Sequence, residues 1–299
     1  MQPSTQRLAR PASVVGALAI LTSGLLFVGR SADPARADPS VDAVRSGTVR
    51  DAGLAATIAL DRLHTALEAS LSAGRQGTAA TVDGESDPAP ALGSAADLLD
   101  AAGGSADAAM LAVDRVSGVA NGEGLAMTRL HLNPGLPAIA AQLRGAVEPA
   151  STFASMRRRT ERVVTQLGAA LTALDRGDLA AAVEAVGGAD ADLAAIRAWQ
   201  PGLVTLPLWI KTAGRLLDAL RSGSDALTSG DTDALARARR DFAAAAPEAH
   251  RADLALGIAM AEGGSAIADP ALRGLARAID DVEGSARGVA SVLRALNSP

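Results

Sequence analysis

Cysteine and tyrosine are absent from this 299-residue chain, lysine occurs once, and the aromatic side chains are three phenylalanines and two tryptophans. Each absence excludes something. Without cysteine there is no disulfide, no thiolate metal site and no lipid-modified cysteine anchor, so the fold must rest on packing alone. With Lys211 the only lysine, nucleophilic and general acid–base chemistry would fall to Ser, His, Asp and Glu. With so few aromatics, the core must be built from Leu, Val, Ile and Ala.

Catalytic signatures are missing as well. The chain holds no H-E-x-x-H, no G-x-x-x-x-G-K, no G-x-S-x-G and no complete calcium loop. "GGSAI", Gly263 to Ile267, comes near the serine elbow, but no strand precedes it. Asp190 and Asp192 in "GADADLAAI" could open a calcium loop, yet Leu193 and Ala194 follow where ligands are needed, and helix capping is the expected role of the two aspartates. The reading is therefore non-enzymatic, with no cofactor and no metal.

What is present begins with an uncharged run from Ala12 to Gly29 behind Arg7 and Arg10. About 18 residues is longer than the usual core of an export signal and just short of a comfortable membrane span. Ala35-Arg36-Ala37 offers the small-residue frame of a signal-peptide cleavage site, with Pro34 keeping the backbone extended. Cleavage after Ala37 is favoured; a retained anchor is the alternative. In both cases the positive amino-terminal end favours the cytoplasmic side, which places the body of the protein outside the cytoplasm.

The first 37 residues hold four arginines and one aspartate, so 24 of 28 basic and 32 of 33 acidic residues belong to the remainder, a net charge of −8. Such a surface does not attract nucleic acid or anionic lipid. Arginine in place of lysine, and abundant alanine, are the compositional habit of a GC-rich bacterial genome.

After Val41, apolar residues recur at steps of three and four almost everywhere, and strict alternation is absent, so the chain reads as all helix. Residues 38–71 are expected to hold the first helix, and 72–90, "SAGRQGTAATVDGESDPAP" with its neighbours, a flexible loop, because large apolar side chains are missing there. In the body, 91–299, helices are expected at about Ala91–Ala120, Pro137–Val147, Pro149–Asp175, Asp178–Trp199, Leu206–Ser222, Asp231–Ala261 with a kink at Pro247, and Pro270–Leu296 capped by Asp269. The last shows the cleanest seam: Leu272, Leu275, Ile279, Val282, Ala286, Val289, Leu293 and Leu296. Stripes also run through Val163, Leu167, Ala170 and Leu174, and through Leu206, Trp209, Ala213, Leu216 and Leu220. "LDRGDLAAA" and "LTSGDTDAL" lie 53 residues apart and share a Gly-Asp step: Gly177 and Gly230 can end a helix in the left-handed region while Asp178 and Asp231 cap the next.

The expected fold is thus an all-α antiparallel helical bundle behind an export or anchor segment, with Trp199 to Trp209 as the place where two sub-bundles would meet. Few clusters could carry binding. Asp61, His64 and Glu68 share one helical face, but Arg50, Thr57 and Arg75 lie on the same stripe, as on an ordinary solvated surface. His250 stands beside the stripe of Leu254, Ile258 and Ala261 and reads as a boundary residue; His131 with Met127 is too small a set for copper. Arg157, Arg158 and Arg159 open the densest basic cluster, "RRRTER", and "RARR" from Arg237 is the second; converging, they could meet an acidic partner or an anionic envelope polymer. Trp199 and Trp209 flank "WQPGLVTLPLW", an elbow that could form a shallow apolar groove. The functional expectation is an envelope interaction or scaffold protein with a protein partner; the alternative is an extracytoplasmic protein binding a small ligand or a metal.

Overall fold

The computed structural model describes residues 41–122, 124–125, 127, 130–132, 135–199 and 201–296, with side chains from Arg50 to Ala295. The expectations for residues 1–37 lie outside this set. The described residues are all-helical, without strands: α1 (Val41–Asp83), α2 (Ala89–Gly122), α3 (Leu136–Arg176), α4 (Leu179–Ala198), α5 (Leu206–Ser229) and α6 (Thr232–Leu296). Contacts divide the chain at Val44, and residues 45–299 form the unit described below. Among the described residues no helix is long and apolar enough to cross a membrane.

Helix α1 runs to Asp83, through most of the segment expected to be a loop. Its lack of large side chains has a different cause. A Cβ placed on Gly74 would stand 2.6 Å from Leu272 Cδ2, and one on Gly77 2.6 Å from Leu92 Cγ. The small residues are the flat surface that receives leucines from α6 and α2, and a bare stretch of sequence is a tight stretch of packing. Thr78 and Thr81 turn their hydroxyls back to the carbonyls of Gly74 and Gly77, satisfying themselves inside the helix. Gly84, at φ +69°, ends α1, and the backbone N–H of Ala89 donates to Asp87 to open α2. The connection shrinks to Gly84 through Pro88.

Two expected breaks, at Pro149 and before Pro270, are also absent. Pro149 lies inside α3, and both Pro247 and Pro270 lie inside α6. Each proline forfeits one backbone hydrogen bond, but flanking turns are locked by burial: Ala146, Ala150 and Phe153 around the first, Ala268, Ala271 and Leu275 around the last. Asp269 is consequently no cap; it is a mid-helix residue paired with Arg273. At 1.5 Å per residue, α6 spans about 97 Å.

Helix α1 runs antiparallel to α2 and α6, and α4 antiparallel to α3 and α5. Gly53 meets Leu293 and Gly74 meets Leu272, setting α1 against α6; Arg159 and Arg162 reach Asp192 between α3 and α4; Trp209 reaches Asp253 between α5 and α6. Two apolar clusters form. The first joins α1, α2, the start of α3 and the last third of α6, with Leu60, Leu63, Leu67, Leu92, Leu99, Ile139, Leu143 and Leu275 buried. The second joins the rest of α3, α4, α5 and the first half of α6 around Leu193, Ile196, Trp209, Leu220 and Leu256. Only α3 and α6 contribute buried residues to both. The carboxy-terminal seam packs inside the first cluster, where Leu275, Ile279, Val282 and Val289 are buried.

The two hairpin turns form as their residues dictate. Gly177 and Gly230 sit at φ +72° and +69°, each preceded by a helix whose last carbonyls they cap. Asp178 accepts from the Ala181 N–H and Asp231 from the Ala234 N–H, at 3.1 and 2.9 Å. A capping aspartate is worth about 1 kcal/mol over alanine.

Candidate functional site

The tryptophan elbow resolves into two unlike places. Helix α4 stops at Trp199, whose backbone turns extended (φ −85°, ψ 128°), and the chain crosses Pro201, Gly202 and Leu203 before α5 begins with Pro207 in its first turn. Gly202 takes φ +76°, which a residue with a Cβ adopts only under strain. The Trp199 ring meets Phe153 of α3 edge to face, centroids 5.3 Å apart at 77°. Beneath Phe153 runs the backbone of α6 at Gly263 and Gly264: a Cβ on Gly263 would approach Phe153 Cζ to 3.2 Å, and one on Gly264 would approach Phe153 Cε1 to 3.3 Å. Phe153, Trp199, Pro201, Leu203 and Gly263, with Glu148, Pro149 and Thr152 of α3 and Ile267 of α6, line an open groove of about 410 Å3. It lies where the two apolar clusters adjoin, for Ile267 packs against both.

Trp209 does not belong to that groove. It is 2% exposed in the second core, and its indole N–H donates to Asp253 at 3.0 Å. It is a core residue whose one polar atom has a partner.

Arg157, Arg158 and Arg159 are each engaged within the chain. Arg157 pairs with Glu161 one turn on, at 2.8 Å. Arg158 donates to the carbonyl oxygens of Gly84 and Ser86, closing the end of α1. Arg159 meets Asp192 at 2.7 Å, and Arg162 grips the same carboxylate with two bonds of 2.8 Å. Asp192 is buried on α4, and the Arg162 guanidinium, aided by Arg159, holds its carboxyl below the ordinary carboxylate range despite the opposing effect of burial. The expected capping role of Asp190 and Asp192 is therefore replaced by ion pairing, Asp190 with Arg221. The second basic cluster acts elsewhere: Arg239 ties the end of α3 through the Leu174 carbonyl and Asp175.

The histidines are dispersed. His64 faces Glu283 of α6 at 3.4 Å and not a joint site with Asp61 and Glu68. Among the described residues no group of three or more His, Asp or Glu is placed to hold a metal ion. His250 and His131 are exposed, and Asp253 belongs to Trp209. Leu254 and Ile258, expected beside a boundary histidine, point to solvent at 57% and 64% exposure. Ser265 of "GGSAI" is mid-helix, its hydroxyl on the Ala261 carbonyl.

Sequence reading found Trp199 but missed Phe153 and Glu148. Both lie on α3 on either side of Pro149, a residue read as a helix boundary. No family profile, no curated protein and no solved structure matches this chain.

Proposed function

We propose that the protein is an exported bacterial envelope protein of non-enzymatic interaction or scaffold type, built as two helical sub-bundles on two shared helices. One observation carries this reading: α6 is unbroken over 65 residues and contributes to both cores. A helix with a contour of about 97 Å, packed against partners in both halves, ties the two cores to one another. The outward Leu54 and Ile58 on α1, Leu111 on α2, and Leu254 and Ile258 on α6 supply apolar contact area for a partner in that frame. Most of the arginines set out above are spent on fixing helices to one another, which fits a structural task.

The test uses photo-crosslinking side chains placed singly in intact cells at Leu254, Ile258 and Leu111, with Arg273 and Arg287 as polar controls. A scaffold yields discrete, reproducible adducts at the apolar positions and none at the controls. Adducts at neither set refute the reading. A periplasmic reporter fused after Pro299 tests export separately.

A further inference from the structure

We propose that the groove beside Trp199 binds a small organic monocation, its apolar body against Phe153, Trp199, Leu203 and Ile267 and its ammonium group at Glu148. This role stands apart from the scaffold reading and survives its failure. The groove's volume of about 410 Å3 falls within the range of small-molecule sites. Its lining is apolar except for Thr152 and Glu148, and no arginine, lysine or histidine contributes to it. Among the described residues no hydrogen bond or ion pair engages the Glu148 side chain, in contrast to the paired carboxylates Asp192, Glu161 and Glu248.

The groove thus offers one unpaired carboxylate and no cationic donor to an anion. Over the indole face, a cation gains a further attraction. Gly263 keeps the floor open, since a Cβ there would crowd both Phe153 and Leu203.

Isothermal calorimetry on the folded chain with benzyltrimethylammonium, benzyl alcohol and phenylacetate tests the assignment. The cation is expected to bind one site with a Kd of about 1 mM or tighter, quenching Trp199 emission. Glu148→Gln, at an exposed position, should weaken the cation roughly fivefold to tenfold and leave benzyl alcohol unchanged. Trp199→Leu should abolish the quench and weaken both aromatic probes. Equal binding of phenylacetate, indifference of the cation to Glu148→Gln, or the absence of a saturable heat up to about 10 mM each overturns the proposal.

Discussion

The two cores draw on shape and on polar ties in different proportion. In the first, α1 carries gaps and its neighbours carry knobs: Leu293 enters at Gly53, Leu272 at Gly74 and Leu92 at Gly77, each where a Cβ would stand within 2.6 Å or less of the incoming leucine. Polar ties are few, the Ser70 hydroxyl on the Ala95 carbonyl at 2.7 Å being the buried one, with Arg144 reaching Asp97 and Asp100 at the surface. In the second, one such gap recurs, Leu174 entering at Gly223 where a Cβ would stand 2.8 Å away, and directional ties are added: Asp192 clamped between Arg159 and Arg162, and Trp209 bonded to Asp253. Shape can slide by a turn where side chains are similar, and an ion pair cannot, so an alanine-rich bundle needs either voids of defined position or a few directional bonds.

The strongest challenge to this division is Ile279→Asp, which buries a carboxylate among apolar neighbours in the first core at a cost of several kcal/mol. Because α6 serves both cores, circular dichroism should show one cooperative loss of helix across the chain. A residual half-signal melting at the wild-type temperature would instead make the cores independent. Next is Leu193→Ala in the second core, fully buried on α4, expected to cost about 3 kcal/mol by denaturant titration; a value under about 1 kcal/mol would mean that α4 collapses onto the cavity.

Asp192→Asn removes the ion cluster and should cost about 2 kcal/mol at neutral pH. The native carboxyl is held below its ordinary value of 3.8, so its contribution is complete above that value and fades as pH falls through the lowered native one. The gap between wild type and Asp192→Asn should therefore close on acidification below about pH 4; a gap that widens there contradicts the assignment. Smallest is a matched pair of glycine substitutions. Gly77→Ala must displace Leu92, whose backbone nitrogen lies 3.2 Å from the new Cβ, and should lower stability by about 1 kcal/mol despite the better helix former. Gly168→Ala on α3, with nothing within 4 Å, should raise it by up to about 1 kcal/mol. Equal effects would show that the α1 glycines are not packing gaps.

Helical periodicity and capping chemistry were legible because they are local. The stripes Val163–Leu174 and Leu206–Leu220, the Gly177–Asp178 and Gly230–Asp231 turns and the α6 seam all depend on residues within a turn or two of each other. What escaped depends on neighbours distant in sequence. Gly74 and Gly77 read as disorder because Leu272 and Leu92, which fill the space above them, lie elsewhere in the chain. Pro149 and Pro270 read as breaks because local chemistry says so, while tertiary burial on both sides holds the helices continuous. The face of α6 bearing Leu254 and Ile258 is apolar by pattern and exposed by topology, since α3 and α5 cover its other sides. For the groove, Trp199 was visible as a rare residue, and Glu148 was one acidic residue among many until its neighbours proved apolar.

The sharing of α6 also fixes an order of events during synthesis. Helices α1 and α2 leave the ribosome first, yet the apolar faces of Leu60, Leu63 and Leu99 find their last cover only in residues 268–292. The second core needs α6 as far as Met260, so the earliest-made hairpin is the latest to be sealed. At about 5–20 residues per second, roughly 10 to 35 s separate the completion of α2 from that of the segment that closes over it. For that interval the leucines of α1 and α2 lack the cover that α6 gives them in the finished fold.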